Sequence, residues 1–112
     1  MEKRKYPRVL VTNMFIDVSD GIGFCTGTVQ DVSQVGLCLT DLAKRFGQDM
    51  DTYTAVTSSG SEYFKFRVRP RWEQTGSVSK RMGVEITEPS GSWMDFVSRL
   101  EARNRKGAQQ GH

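Results

Sequence analysis

The sequence predicts an all-β fold: a six-stranded antiparallel β-barrel followed by a C-terminal α-helix. Between residues 9 and 86, apolar and polar side chains mostly alternate, which is the two-residue period of a strand. Turn residues, often glycine, separate these segments. After residue 91 the apolar period becomes that of an amphipathic helix. A barrel is favoured because closing a small antiparallel sheet removes its exposed edges.

The first half of the chain contains three of the predicted strands. Residues 9–16 form the first strand, and Asp20-Gly21 supplies the turn into a second strand at residues 22–30. Residues 31–35 then form a corner, whose Asp and Ser side chains can hydrogen-bond nearby backbone groups. The third strand follows at residues 36–39.

The second half contains the remaining three strands. Residues 41–46 are predicted to form one helical turn with Asp41 as its N-cap, ahead of a fourth strand at residues 51–57. The fifth strand, residues 62–73, is the longest and contains Pro70, which predicts an edge or a bulge because proline cannot donate to a ladder. The sixth strand covers residues 82–86.

An amphipathic helix follows the last strand. Trp93, Phe96, Val97 and Leu100 have the i, i+3, i+4, i+7 spacing of one helix face, which should pack against the barrel. Ser92 is the predicted N-cap. Beyond residue 103 the apolar period is lost, which predicts a disordered tail.

A chain of 112 residues has the length of a single domain. The predicted division is a flexible basic arm at residues 1–8, the barrel with its helix at 9–103 and the tail at 104–112. Net charge is +3, and the arm carries the excess: Lys3, Arg4, Lys5 and Arg8 against Glu2. A basic arm ahead of a charge-balanced domain indicates recognition of phosphate in a specific ligand rather than bulk nucleic acid.

Several classes of protein are disfavoured by what the sequence contains. No apolar run approaches the ~20 residues needed to cross a bilayer, and none resembles a signal peptide, so we expect a cytoplasmic protein without membrane insertion. Cys25, Cys38 and His112 are too few and too scattered for a metal site. No nucleophile–base pair or pair of catalytic acids emerges either. The sequence therefore predicts a protein that is not an enzyme and needs no metal or cofactor.

Two short motifs stand close to predicted strand ends. Arg4 and Arg8 form an Arg-x-x-x-Arg pair just before the first strand. Asp31, Ser33 and Gly36 form an Asp-x-Ser-x-x-Gly corner between the second and third strands. Neither motif is diagnostic alone, whereas the two in this order carry information.

With these motifs, the sequence resembles the PilZ family of cyclic di-GMP receptors. The segment Gly27-Thr28-Val29-Gln30-Asp31 and the later segment Met82-Gly83-Val84-Glu85-Ile86 add to the resemblance, which covers about residues 3–100. It implies a six-stranded barrel with a C-terminal helix. It also implies a ligand site on the outer surface of the barrel, spanned by the N-terminal arm, with cyclic di-GMP as ligand.

The motif residues suit that ligand chemically. Arg4 and Arg8 carry guanidinium forks that can bind a phosphate bidentately or contact guanine. Asp31, an acceptor when ionised, suits the donor edge of guanine, and the Ser33 hydroxyl can bond a base or a phosphate. Gly36 would let the ligand approach the backbone.

Other residues are weaker candidates. Trp72 could stack on a guanine, although a strand tryptophan is more often a packing residue. Lys3 precedes the first motif arginine, a position that in the resembling family influences whether one ligand or an intercalated pair is bound. Lys65, Arg67, Arg69 and Arg71 alternate along the fifth strand, which favours a solvated face.

The resulting hypothesis is a stand-alone cyclic di-GMP receptor or adaptor. Its arm becomes ordered on binding, and the complex regulates an unidentified protein partner in trans, in motility, adhesion or exopolysaccharide production as the resemblance implies. One alternative is a small barrel that binds single-stranded nucleic acid through its basic arm and the Lys65–Arg71 strand, which the near-neutral body of the domain disfavours. Another is a protein-interaction module that binds no ligand.

Overall fold

The computed structural model describes residues 6–46 and 51–110, with side chains for residues 6–46 and 51–104. Within these ranges the chain forms strands and one C-terminal helix. In chain order they are β1 (Val9–Leu10), β2 (Met14–Ser19), β3 (Phe24–Val32), β4 (Gly36–Leu42), β5 (Tyr53–Ser59), β6 (Glu62–Thr75), β7 (Lys80–Ile86) and α1 (Gly91–Gln110).

The strands form one closed antiparallel barrel. The sheet order is β1-β3-β2-β5-β6-β7-β4, and an additional pairing of β3 with β4 closes strands β2 to β7 into a ring of six. The short strand β1 pairs with the end of β3 as an extra, seventh strand. The predicted six-stranded barrel with a C-terminal helix is therefore confirmed.

The first predicted strand differs, because it is divided in two. Asn13 has φ of 55°, a left-handed conformation that asparagine tolerates better than most residues. The break lets β1 pair with β3, with Val9 opposite Val32 and Leu10 opposite Asp31, while β2 pairs further along the same strand. As a consequence, β1 lies next to the 31–36 corner, and Arg8 immediately precedes β1.

The helical turn predicted at residues 41–46 is shorter and is not capped by Asp41: only residues 43–46 turn, with the Phe46 N–H donating to the Ala43 carbonyl at 3.1 Å. Asp41 lies within β4 with φ of 62°, and the strand continues to Leu42, which is fully buried opposite Lys80. The buried Lys80 ammonium donates to the carbonyl of Phe46 and so ties the following turn to the barrel. Burial of Leu42 and this tertiary bond override the local capping signal.

The barrel interior is filled by the alternating apolar side chains of its strands. On β6, Phe66 and Val68 point inward, while Lys65, Arg67 and Arg69 are exposed on the outer face, as the alternation predicts. The register of β6 against β7 shifts between Pro70 and Trp72, which confirms the predicted irregularity at the proline.

Helix α1 packs its apolar face against one end of the barrel. Trp93 is fully buried, with ring centroids 5.2 Å from Phe64 and 5.1 Å from Phe66. The N-cap is Ser90 rather than the predicted Ser92, because the Ser90 hydroxyl accepts the Trp93 backbone N–H at 3.2 Å.

The helix also extends further than its apolar stripe. Residues 104–110 continue it to Gln110, whereas the sequence pattern predicts a disordered tail from residue 104. Extending an existing helix adds a backbone hydrogen bond per residue without a new nucleation cost, and this segment contains no proline. Among the described residues, no helix is long and apolar enough to cross a bilayer.

Close packing of β3 against β4 depends on Gly27. A Cβ at this buried glycine would lie 2.7 Å from Leu42 Cδ2 and 2.9 Å from the Thr40 carbonyl oxygen. We expect Gly27→Ala to lower the free energy of unfolding by about 1–3 kcal/mol in denaturant titrations, because the backbone must move. Gly23→Ala, with open space around its Cβ, should stay within about 0.5 kcal/mol of the parent and is the control. Equal stabilities of the two variants would contradict this packing.

Candidate ligand-binding site

A cavity of about 360 Å³ lies beside the 33–36 turn, over the outer side of β4, β6 and β7. Met82, Val84 and Ile86 fill the core, so the alternating residues Gly83 and Glu85 face outward. The segment before β1, the turn, and strands β6 and β7 all contribute to its wall. The polar and aromatic side chains that line the cavity include Tyr6, Arg8, Ser33, Arg71, Trp72 and Glu85.

The turn itself is held by hydrogen bonds in several directions. The Ser33 N–H donates to the Gly36 carbonyl at 2.9 Å, and the Ser33 hydroxyl oxygen accepts the Val35 N–H at 3.3 Å. The Ile86 N–H donates to the Val35 carbonyl at 2.8 Å, and the buried Trp93 indole N–H donates to the Ser33 carbonyl at 3.3 Å. The corner therefore forms the turn that its Asp and Ser residues predict.

Gly36 provides room at the edge of the turn. A Cβ here would lie 3.0 Å from the Val84 carbonyl oxygen and 3.7 Å from the Ser33 hydroxyl oxygen. The φ of Gly36 is not positive, so close approach of β7, rather than a left-handed backbone, is what favours glycine. The missing side chain also keeps backbone accessible in the cavity wall.

Trp72 lies across the outer face of β7. The register shift after Pro70 places Trp72 opposite Gly83, and a Cβ on Gly83 would overlap the Trp72 indole Nε1. Trp72 is 38% exposed and lines the cavity. It therefore offers aromatic surface to a base.

Arg81 lies over the Trp72 ring. Its guanidinium lies 5.8 Å from the Trp72 ring centroid and donates to the side-chain oxygens of Gln30 and Gln74, at 3.2 Å each. It also donates weakly to the Cys38 sulfur at 3.8 Å. Sequence analysis did not single out Arg81, because its role arises from side chains on three different strands.

Asp31 lies on the same transverse row as this cluster. It pairs with Cys38, which pairs in turn with Gly83. Burial raises the pKa of the Cys38 thiol, and the negative charge of Asp31 raises it further, so Cys38 stays protonated at neutral pH. Asp31 is half-buried beside the cavity without lining it.

The charges of the cavity are mixed. Arg71 Nη1 lies 3.5 Å from Glu85 Oε1, and both side chains are about half exposed, so this ion pair adds little stability. Arg8 is exposed, and the described part of the chain places no carboxylate within ion-pair distance of it. Nor do the described residues bring together three metal-ligating side chains.

The structure thus brings together several predicted site residues. Arg8, Ser33, Gly36 and Trp72 line one cavity, and Asp31 lies beside it. Two further predicted residues, Lys3 and Arg4, lie outside the described residues.

Among the polar side chains that line the cavity, sequence analysis assigned no role to Tyr6 or Glu85 and placed Arg71 on a solvated face. Pro70 was the available signal for Arg71, because the bulge that a strand proline causes redirects the residues after it. Glu85 stands in a segment that carried the family resemblance, but it was assigned no role there.

No family model and no curated protein matches the chain. Solved structures do match it. The PilZ domain of YcgR from Escherichia coli, solved with c-di-GMP, superposes with a TM-score of 0.70 at 16% identity, covering 96% of this chain and 98% of that one. The chain has a PilZ-like fold.

Two longer proteins contain the same PilZ-like fold. The inhibitor of motility MotI/DgrA from Bacillus subtilis matches with a TM-score of 0.77 at 14% identity, over 95% of this chain and 53% of that one. PlzA from Borreliella burgdorferi, in complex with c-di-GMP, matches with a TM-score of 0.64 at 12% identity, over 94% of this chain and 52% of that one. The chain spans about half the length of these two proteins.

The position of Trp72 depends on the absence of a side chain at Gly83. We expect Gly83→Ala to displace the indole and raise its collisional quenching by acrylamide. Trp93 is the only other tryptophan and is fully buried, so it gives a constant background. Gly91→Ala, whose Cβ meets open space, is the control. Quenching equal to the parent in Gly83→Ala would show that Trp72 does not lie over Gly83.

Proposed function

We propose that this chain is a cyclic di-GMP receptor that binds its ligand in the outer-face cavity. The observation that carries the proposal is the meeting of two sequence motifs at one place. Arg8, from the first motif, lines the same cavity as Ser33 and Gly36 from the second. These segments are more than twenty residues apart in the chain and are joined by the β1–β3 pairing.

The chemistry of the cavity suits a cyclic dinucleotide. No carboxylate of residues 6–46 or 51–104 pairs with the Arg8 guanidinium fork, which suits a phosphate, and Trp72 offers an aromatic surface for a base. The Ser33 oxygen accepts a backbone N–H, which leaves its hydroxyl proton free to donate. In this proposal Asp31, which lies beside the cavity, accepts from the donor edge of a guanine that extends past the lining residues.

The N-terminal arm completes the site in this proposal. Arg4 stands four residues before Arg8, and four extended residues span about 13–14 Å. In this proposal Arg4 and Lys3 therefore reach a ligand in the cavity. Ordering the arm costs about 1–2 kcal/mol per residue, which charge-assisted contacts to two phosphates must exceed. The ordered arm is then the signal that a partner reads.

The matching structures support this function. YcgR and PlzA were solved with c-di-GMP, and MotI/DgrA is an inhibitor of motility. We propose by analogy that this chain acts in trans on a protein partner, as a receptor rather than an enzyme. The partner and the process belong to the proposal, since the fold alone does not specify them.

A second candidate function has one observation in its favour. Lys65, Arg67 and Arg69 are exposed in a row on the outer face of β6. Such a row could follow the backbone of single-stranded nucleic acid. Binding that grows with oligonucleotide length and ignores cyclic di-GMP would favour this function over the receptor.

Isothermal titration tests the receptor directly. We expect saturable binding of cyclic di-GMP and none of GTP or a single-stranded oligonucleotide. Arg8→Ala should weaken binding by about ten- to a hundredfold, because a charge-assisted contact contributes about 1.5–3 kcal/mol. Arg45→Ala removes the same charge from an exposed turn outside the cavity and should leave the dissociation constant unchanged.

Two results would contradict the proposal. Absence of binding in the parent protein would remove the receptor function. Equal affinities of the Arg8 and Arg45 variants would show that the ligand binds elsewhere on the surface.

A further inference from the structure

Glu85 is an acidic residue inside a cavity that otherwise suits an anion. It faces outward from β7, opposite Gly36 on β4 and Arg69 on β6. Its side chain is 45% exposed and lines the cavity with Arg8 and Arg71. A carboxylate here repels the phosphates of a dinucleotide. For such a ligand to bind, a favourable contact between the carboxylate and another part of the ligand must offset that repulsion.

The bases of the ligand provide such a contact. Cyclic di-GMP carries two guanines, and the Watson–Crick edge of each presents two adjacent donors, N1–H and the N2 amino group. An ionised carboxylate only accepts hydrogen bonds, so it matches that edge with both oxygens. Asp31 lies beside the cavity and not in its wall, so among the described residues Glu85 is the acidic side chain that a base inside the cavity meets.

The geometry leaves Glu85 available for this contact. Its separation from Arg71, 3.5 Å, is longer than the ~2.7–2.9 Å of a charge-assisted hydrogen bond, so its oxygens retain acceptor capacity. Trp72 pairs with Gly83, two residues before Glu85 on the same strand face, a spacing of about 7 Å along β7. A base stacked on the indole can therefore present its edge to the carboxylate.

We propose that Glu85 reads the Watson–Crick edge of one guanine and selects guanine over adenine. The inference rests on the proposed receptor function and adds a specificity-determining residue to it. Adenine has an acceptor nitrogen at N1, and its lone pair repels the carboxylate oxygens. The positive charge of Arg71, 3.5 Å from the carboxylate, offsets part of its repulsion of the phosphates.

A combined change of protein and ligand tests this role. Binding of cyclic di-GMP, cyclic di-IMP, which lacks the N2 amino groups, and cyclic di-AMP is measured for the parent and for Glu85→Gln. We expect the variant to lose about tenfold or more in affinity for cyclic di-GMP. The preference of the parent for cyclic di-GMP over cyclic di-IMP should shrink in the variant, because the lost contact involves the N2 group.

Glu88→Gln is the matched control. It removes the same charge from an exposed residue outside the cavity, so all three affinities should equal those of the parent. The inference is overturned if Glu85→Gln binds cyclic di-GMP as tightly as the parent or more tightly, since Glu85 then only repels phosphate. An unchanged cyclic di-GMP to cyclic di-IMP ratio overturns it equally.

Failure of the proposed function gives a different result. In that case the parent binds none of the three dinucleotides, and the inference falls with it. If the parent binds cyclic di-GMP and only the Glu85 outcome is negative, the receptor stands and Glu85 is no specificity residue.

Discussion

The turn at residues 33–36 is held from three sides, and the arrangement of the candidate site depends on it. Its own hydrogen bonds close it, β7 binds it through the Ile86 N–H, and helix α1 reaches it through the buried Trp93 indole. A turn bonded to a strand and a helix keeps its geometry without a ligand. The barrel core and the site are thus coupled through Trp93, whose ring also packs on Phe64 and Phe66.

Two irregularities in the strands bring the site residues together at the cavity on the outer face of the barrel. The break at Asn13 separates β1 from β2, so that β1 pairs beside the turn and places Arg8 at the cavity. The register shift after Pro70 places Trp72 over Gly83 and Arg71 next to Glu85. Without these two irregularities, the regular alternation of side chains along the strands would leave the outer face a solvated surface.

Local patterns predicted the fold well, and tertiary contacts explain the errors. Strand alternation, the Asp20-Gly21 turn and the helical stripe are local signals, and the barrel with its helix was predicted from them. Asp41 was misassigned because burial of Leu42 decided the conformation there. Motif residues of the site were recognisable in sequence, whereas Arg81 and Glu85 gain their positions from neighbouring strands.

In the proposed function, a cyclic dinucleotide occupies the outer-face cavity of this PilZ-like barrel. Nitrogen-15 chemical-shift mapping during titration with cyclic di-GMP tests it most directly. The account predicts saturable shifts for the amides of residues 33–36, Gly83 and Glu85 and for the Trp72 indole, with Lys65 and Arg67 unaffected. Shifts confined to the outer face around Lys65 and Arg67, or no shifts at all, would contradict it.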